Sequence, residues 1–468
     1  MKITNYQLQK KNGDAKTGLR FVGCLLFNHL TAIISVLVIF ICFSGQISAQ
    51  VQEKVRVWKN PPEQVVINDH FSFIYQQDVS SEITVIHILV KGGKRAVPVS
   101  QRGLSFITTG LAVEMTDMEA LRQLTQMATT HYYHIQGDYV TISIRCLTEN
   151  LEKTLKIIAR VLRKPLFSGL RISNVKRYLK HRQQAEEDSP DQLMELTFFN
   201  TLFPAYAGSI YGDRESLKKI KKKHIRDFYQ RFFNHANMII SVCTDLSKAE
   251  IIPIISKNFD SFPPGKPQPL ETVPASVPEK KEIFLKKDNQ QVLISFGTLL
   301  PGMSGKNFAL IYLLENLLGK GIGSKLWPLR AKKELAYSLN TRFMQMEAAG
   351  LLTISLKTDI SKKEEAHQAL KDLILDLYKN GITPEDLAIT KVRSRADFLR
   401  DNETKERRAH WLAYFEALGV GFNYLEAFFS HLDQVTLEEL NTYLKKVLNP
   451  HQLLEVVIGR ESGDEEET

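Results

Sequence analysis

The second half of this chain repeats the pattern of the first, and that duplication limits the possible folds more than any other feature. The alternating strand pattern of Ile83–Val90 returns at Gln291–Gly297, and that of Tyr139–Cys146 returns at Leu351–Lys357. In both halves the second strand is followed by a pair of long helical patterns. The order strand, helix, strand, three helices, strand occurs twice, which predicts two α+β units with helices packed on one face of a sheet.

A proline-rich segment separates the two repeats. Residues 262–281 contain six prolines and almost no periodicity, which predicts a semi-rigid linker. The boundaries that follow are an N-terminal domain at residues 50–261, the linker, a C-terminal domain at residues 282–460 and an acidic tail at residues 461–468.

The first 49 residues have the three-part pattern of an export signal. Several lysines precede a 14-residue apolar run, Leu30–Phe43, and Gly45–Ala49 offers small residues for cleavage. A run of this length is short for a membrane span. We therefore expect a signal peptide at residues 1–49 and an exported, periplasmic protein. The alternative is an uncleaved anchor over residues 21–43, which would then be the protein's link to the membrane.

Charge and cysteine content narrow the class of protein further. The formal net charge is +9, and its densest run, Lys218–Lys223, lacks the interleaved aromatic or glycine residues that read bases. This run predicts a solvated helix face, so nucleic acid is not an expected partner. Cys146 and Cys243 are the two cysteines in the 419 residues after the signal, too few for a disulfide framework, and their linkage stays open.

The stretch Gly319–Tyr337, with the sequence GKGIGSKLWPLRAKKELAY, is the strongest candidate for chemistry. Three glycines precede a short amphipathic turn that carries Arg330, and Tyr337 opens the alternating run to Phe343, which predicts a strand. A hinge, a short helix and a strand in this order can direct Arg330 and Tyr337 at one point. On spacing alone, a surface arginine and a half-buried tyrosine is the simpler interpretation.

These residues resemble the insulinase/pitrilysin family of zinc metallopeptidases, which includes the mitochondrial processing peptidases and core proteins of the respiratory complex. The resemblance covers about residues 65–460. It is carried by GIGSKLWPLRAKKELAYSL, in which Lys325 replaces the usual arginine, and by Gly92-Gly93 and Gly103-Leu104 before a helix. It implies a mitochondrial-processing-peptidase-like α+β fold of two homologous half-domains. Each half would be a mostly antiparallel sheet with helices packed on one face.

The family carries its inverted zinc motif, His-x-x-Glu-His, on that first helix. The resemblance places Ser105, Thr108 and Thr109 at the first histidine, the catalytic glutamate and the second histidine, and Arg182 at the third ligand, within a residue or two. Hydroxyls are weak neutral ligands for zinc, Thr108 cannot act as a general base, and a guanidinium repels a cation. The implied zinc site is degenerate, with no metal and no cofactor in this chain.

The sequence contains one further histidine pair with metal-like spacing, at His131 and His134. It lies in a stretch leading into a strand, where residues i and i+3 point to opposite faces. We therefore do not expect this pair to bind metal.

In active members of the family, the zinc half and a half with Arg and Tyr cooperate across a closed chamber, and in some bacterial pairs these roles belong to two chains. The resemblance therefore implies a non-catalytic subunit of a heterodimeric peptidase. Arg330 and Tyr337 would complete the active site of a zinc-bearing homologous partner that cleaves peptides or small proteins. A peptide-binding or scaffold protein of the same fold is the alternative. A self-sufficient peptidase with unorthodox residues is the third.

Overall fold

The structure is a computed structural model that describes residues 59–269, 282–319 and 321–460. The predicted export signal, the acidic tail and residues 270–281 of the predicted linker lie outside these residues, so the predicted domain boundaries stay predictions. Among the helices of the described residues, none has both the length and the apolar character needed to cross a bilayer.

The first half builds a six-stranded sheet with the order β1-β2-β6-β3-β5-β4. Neighbouring strands are antiparallel except β2 and β6, which are parallel. The elements are β1 Glu63–Val66, β2 Ser72–Gln77, β3 Ile83–Val90, α1 Leu104–Val113, α2 Met118–Gln126, β4 Thr130–Ile135, β5 Val140–Leu147, α3 Leu151–Arg163, α4 Gly169–Asp188, α5 Pro190–Leu202, α6 Arg214–Lys219, α7 Lys222–Phe232, β6 Met238–Thr244 and α8 Lys248–Phe259.

The second half builds a five-stranded sheet with the order β7-β11-β8-β10-β9, again antiparallel except for β7 and β11. Its elements are β7 Glu282–Lys286, β8 Gln291–Pro301, α9 Gly305–Leu318, α10 Trp327–Ala331, β9 Ser338–Gln345, β10 Ala349–Asp359, α11 Lys363–Asn380, α12 Pro384–Asp401, α13 Lys405–Ala417, α14 Tyr424–Gln434, α15 Leu437–Val447 and β11 Leu454–Gly459.

The two halves match element by element. From β2 to β6 and from β7 to β11, strands and helices follow in the same order, and the strand orders agree once β1 is set aside. The duplication and the mixed α/β fold predicted from the sequence are therefore confirmed. In the described residues, β1 and α8 of the first half have no counterpart in the second half.

The halves exchange one helix each, and the exchanged helices are equivalent in the repeat. Helix α5 packs on β8 and β11 of the second sheet, while α13 packs on β3 and β6 of the first. On β3, Ile86, Ile88 and Val90 belong to the first half's own core, whereas His87, on the opposite face, contacts His410 of α13. Each sheet thus has its own helices on one face and one helix of the other half on the second face, which refines the one-sided packing predicted from the sequence.

This exchange buries a second core between the halves. Met194 and Phe198 of α5 pack with Leu454, Val456 and Ile458 of β11. On the reciprocal side, the hydroxyl of Ser241 in β6 donates a hydrogen bond of 2.5 Å to the carbonyl oxygen of Ala409 in α13. The described halves therefore form a single packed body.

Both cysteines left open by the sequence are buried free thiols. Cys146 in β5 lies opposite Thr84, and Cys243 in β6 lies opposite Val85 of the intervening strand β3. Because successive residues of a strand point to opposite faces, the two thiols lie on opposite faces of the sheet and do not meet. Burial raises the pKa of Cys146 to about 11 and that of Cys243 to about 12.

Candidate functional site

Arg330 lies in the last turn of α10, a helix of five residues with Pro328 in its first turn. Its side chain is exposed, and the guanidinium carbon lies 5.7 Å from the centre of the Trp327 ring. The main chain beyond the helix folds back, since the Leu335 N–H donates to the Leu329 carbonyl at 2.9 Å. The backbone around Arg330 is therefore held in place while its guanidinium is directed to the surface.

Tyr337 directly precedes β9, the outer strand of the second sheet. Its N–H donates to the carbonyl of Lys357 in β10 at 2.9 Å, which fixes its backbone at the start of the sheet. The side chain is 58% exposed. Within the described residues, neither the Tyr337 hydroxyl nor the Arg330 guanidinium has a hydrogen-bond or ion-pair partner, so both polar groups are available.

The glycine-rich segment before Arg330 is fixed to the second half rather than being a loose hinge. The amides of Lys325 and Leu326 donate to the last carbonyls of α9, and the Lys325 ammonium forms an ion pair of 2.7 Å with Asp386. Gly319 is required by close packing, because a Cβ there would lie 2.2 Å from the Thr341 hydroxyl oxygen. Gly321 and Gly323 have φ angles of 75° and 84°, in the left-handed region that favours glycine.

The three residues placed at the zinc positions lie on α1 but face the interior. The Ser105 hydroxyl donates to the Gly92 carbonyl at 2.6 Å. Thr108 and Thr109 are fully buried, and their hydroxyl oxygens have no hydrogen-bond partner among the described residues. Helix α1 is enclosed by α3, α4, α7 and β4, which leaves these hydroxyls no route to a ligand.

A different face of α1 is open. Phe106 and Gly110 are four residues apart, as Ser105 and Thr109 are, but each lies one residue later in α1. They line a cavity of about 660 Å³ with Tyr133 of β4 and Tyr178 of α4. A Cβ at Gly110 would lie 2.7 Å from the Tyr133 hydroxyl oxygen, so that hydroxyl takes the space of a side chain. The sequence did not identify these two residues, because aligning Gly103-Leu104 with the family does not determine which face of α1 is open.

Arg182 is half-buried on α4, which packs against α1. Its guanidinium donates to the Tyr211 hydroxyl at 2.9 Å and lies over the same ring. One turn later, burial raises the pKa of the Glu186 carboxyl, and one of its oxygens has no hydrogen-bond partner among the described residues. The buried Lys94 ammonium lies 3.8 Å from the centre of the Phe199 ring, and burial lowers its pKa to about 7. Two basic side chains, Arg182 and Lys94, thus lie beside the one carboxylate, Glu186, near the position expected for a third zinc ligand.

His131 and His134 lie on β4, as the strand pattern required, with His131 half-buried beside Tyr133 and His134 exposed on the other face. Across the described ranges, no group of three or more His, Cys, Asp or Glu residues is arranged to hold a metal ion. The structure brings the α1 residues and Arg182 together in the first half. It places Arg330 and Tyr337 in the second half, and no described contact joins the two sets.

Comparison with known proteins agrees with this site. The family model "Peptidase M16 inactive domain" matches residues 219–392. The chain is 22% identical over 399 residues to the "Non-peptidase homolog YmxG" of Helicobacter pylori, covering 84% of this chain and 92% of that protein. It is 23% identical over 282 residues to the "Zinc protease PqqE" of the same organism, covering 57% of this chain and 62% of that protein.

A solved structure supports the fold. The crystal structure of a peptidase M16 inactive domain from Pseudomonas fluorescens superposes with a TM-score of 0.79 at 19% identity, covering 86% of this chain and 99% of that one. Residues 219–392 therefore match the peptidase M16 inactive domain, and the chain is similar along most of its length to non-peptidase homologues of the insulinase-type (M16) family.

Proposed function

We propose that this chain is the zinc-free subunit of an exported heterodimeric metallopeptidase and that Arg330 and Tyr337 complete the active site of a zinc-bearing homologous partner. The observation that carries the proposal is that both side chains project from a fixed backbone into solvent, and that neither has a hydrogen-bond or ion-pair partner among the described residues. A buried or paired arginine and tyrosine would serve only this chain's own stability.

The chemistry of the two groups suits peptide-bond hydrolysis opposite a metal. The transition state carries negative charge on the former carbonyl oxygen, and fixed donors that point at this oxygen lower the barrier. The Tyr337 hydroxyl supplies one such donor, and the Arg330 guanidinium supplies a charge-assisted fork. Neither group can activate water, so the zinc and the general base have to come from the partner.

The first half offers neither a general base nor metal ligands on α1, whether the zinc motif is aligned at Ser105 or one residue later. Ser105, Thr108 and Thr109 are buried, and one residue later the open face of α1 presents Phe106 and Gly110. The side chains that this face offers to a peptide are therefore mainly aromatic. β4 is the outer strand of the first sheet and borders the same cavity, so an extended peptide can add to its edge while its side chains enter the aromatic cavity.

The similarity to both a non-peptidase homologue and a zinc protease of Helicobacter pylori supports the two-chain arrangement, because that organism has one protein of each kind. The expected partner is thus a chain of similar length that retains His-x-x-Glu-His.

The test is reconstitution with a homologous chain from the same genome that retains His-x-x-Glu-His. Tyr337→Phe removes one exposed oxygen and keeps the ring, so we expect assembly to be unchanged and turnover of a peptide to fall about 100-fold, or roughly 2.7 kcal/mol. Tyr378→Phe, which removes the hydroxyl of a half-buried tyrosine on α11, is the matched control and keeps full activity. Wild-type turnover of Tyr337→Phe in a verified complex would remove the hydroxyl from the mechanism, and a complex that forms without gaining activity would favour a scaffold.

Export is a separate part of the proposal. It rests on the basic flank, the apolar run and the small residues that end at Ala49. N-terminal sequencing of the protein recovered from the periplasm is expected to begin at residue 50. A start at Met1 with the protein in the membrane fraction would instead indicate an uncleaved anchor.

A further inference from the structure

Among the described residues, one face of the second sheet has no counterpart of the helix that covers the equivalent face in the first half. In the first half, β6 is followed by α8, which packs against α3. Its Ile251, Ile255 and Phe259 are fully buried in the core with Phe73 and Tyr75 of β2. In the second half, β11 ends at Gly459, and the described residues contain no helix after it.

The consequence is visible on β7, which occupies the place of β2. Phe73 and Tyr75 are 1% and 4% exposed, whereas Phe284 of β7 is 38% exposed. Phe284 faces the helices of its own half, because the Lys363 ammonium of α11 lies 5.3 Å from the centre of its ring. An aromatic side chain at a position that is covered in the first half is thus left in contact with water.

Next to Phe284 the same face forms a half-open groove of about 340 Å³ between β8, β11 and α11. Its apolar part consists of Phe296, Ile374, Leu375 and Leu453, and Leu375 is 36% exposed. This is the place that α8 fills against α3 in the first half.

The polar rim of the groove is mainly acidic. The buried Glu455 carboxylate is already paired with His367 at 2.6 Å and Lys371 at 3.1 Å. Glu282 and Asp372 remain exposed at the rim, without an ion pair among the described residues. In the first half, Lys257 of α8 forms an ion pair of 2.6 Å with Glu152 of α3. The covering helix there thus supplies a lysine to an acidic residue of the helix that it packs on.

We propose that this groove is a docking site for an amphipathic helix of about three turns from another protein, with apolar residues at i, i+4 and i+8 and basic residues beside them. Helix α8 supplies the template, since its apolar residues have this spacing and its Lys257 meets an acidic partner. Burial of three large apolar side chains supplies the driving force for such a contact, and the basic residues beside them set its orientation against the acidic rim.

Other occupants match the groove less well. Residues 461–468, with the sequence ESGDEEET, are acidic and contain no large apolar side chain, so they suit neither the apolar floor nor the acidic rim. A second copy of this chain would have to release α8 from its own core. The inference does not depend on Arg330 or Tyr337, so it can fail or hold independently of the proposed peptidase role.

The probe is a labelled synthetic peptide of residues 247–262 with Pro253 replaced by alanine to favour the helix. Titrated with the purified exported protein, it is expected to show saturable binding by fluorescence anisotropy. Leu375→Glu places a charge on the apolar floor and is expected to weaken binding at least tenfold. Val392→Glu, on the 68%-exposed Val392 of α12, is the matched control and is expected to leave binding unchanged.

A tethered version keeps the test decisive when the free peptide binds too weakly. Residues 247–262, joined after Arg460 through a flexible linker, are held at an effective concentration of about millimolar. We expect the melting temperature to rise relative to a graft in which Ile251, Ile255 and Phe259 are serine, and Leu375→Glu to cancel the rise. Equal melting temperatures for the two grafts, together with no peptide binding, would overturn the proposal. Peptide binding that appears only after removal of residues 1–58 would overturn it in favour of a segment of this chain.

Discussion

Asp138, in the turn between β4 and β5, accepts a hydrogen bond of 2.9 Å from the backbone N–H of Glu347, in the equivalent turn between β9 and β10. The other Asp138 oxygen forms a buried ion pair of 2.6 Å with Arg95. The two hairpins that correspond in the repeat are thus joined through one carboxylate, which links the two halves.

This contact predicts that neutralising Asp138 strongly lowers the free energy of unfolding. Asp138→Asn can still accept from the Glu347 N–H but removes the negative charge beside the buried Arg95 guanidinium, so we expect a loss of about 3–5 kcal/mol in the free energy of unfolding. Urea unfolding measures it. Glu119→Gln breaks the exposed ion pair with Arg122 and is the control, with a much smaller expected loss because solvent screens this pair. Similar losses in the two variants would show that the Asp138 charge is not needed at the junction.

A buried histidine, His87, and a half-buried one, His410, meet where α13 packs on β3, and they predict a pH dependence of stability. The Nδ1 of His410 lies 3.3 Å from the Nε2 of His87, whose Nδ1 contacts the Ser143 hydroxyl at 2.8 Å. Burial, with a smaller contribution from His134, lowers the pKa of His410 to about 4. Burial and the neighbouring His410 also lower the pKa of His87 well below its usual value.

The direction in which stability changes with pH depends on whether the folded or the unfolded state binds more protons. Between pH 6.5 and 4 the unfolded chain protonates His410 while the folded protein does not, so the free energy of unfolding falls as the pH falls. From His410 alone we expect a loss of about 2 kcal/mol between pH 7.5 and 5. His410→Gln should reduce that slope in urea unfolding, whereas His451→Gln, on an exposed turn, should not. An unchanged slope in His410→Gln would mean that carboxylates, not this pair, set the acid sensitivity.

The sequence predicts the repeated elements well, because they depend on local periodicity. The strand predicted at Ile83–Val90 has those bounds, and the strand predicted at Gln291–Gly297 begins at the same residue as β8. β3 is buried on both faces, and its run of apolar and β-branched residues identifies it as a strand.

Helices α13 and α8 could not be predicted from the sequence, because their stability depends on contacts with other parts of the fold. Helix α13 lies between a sheet and other helices and buries Lys405 and Arg408 as well as apolar residues, so its sequence lacks a single apolar stripe. Lys405 is accommodated because its ammonium donates to the carbonyls of Ser81 and Ile83 at 2.5 and 2.8 Å. Helix α8 carries Pro253 in its interior, which argues against a helix unless the capping box of Ser247 and Glu250 is recognised.

Metal content is predicted by the side chains present at the degenerate site. The purified chain is expected to contain no stoichiometric zinc and to cleave no peptide alone, because Ser105 and Thr109 are buried hydroxyls and Arg182 carries a positive charge. Elemental analysis after dialysis against a weak chelator checks this. Adventitious zinc would be lost from a His131→Ala, His134→Ala variant. One zinc per chain that disappears on substitution of Ser105 or Thr109 would contradict the prediction.

The last prediction distinguishes a forked donor at Arg330 from a simple positive charge. Arg330→Lys keeps the charge on an exposed side chain that has no described partner, so folding and assembly with a zinc-bearing chain should be unaffected. An ammonium cannot reproduce the planar, two-pronged donation of a guanidinium, so we expect kcat to fall at least tenfold, and Arg330→Ala to be worse. Arg226→Lys, on the exposed surface of α7, is the matched control and should have wild-type kcat. If Arg330→Lys raises KM while kcat stays constant, Arg330 binds substrate and transition state equally and acts in positioning. If Arg330→Ala and Tyr337→Phe both retain full turnover in a verified complex, the two residues are relics and the chain is a scaffold.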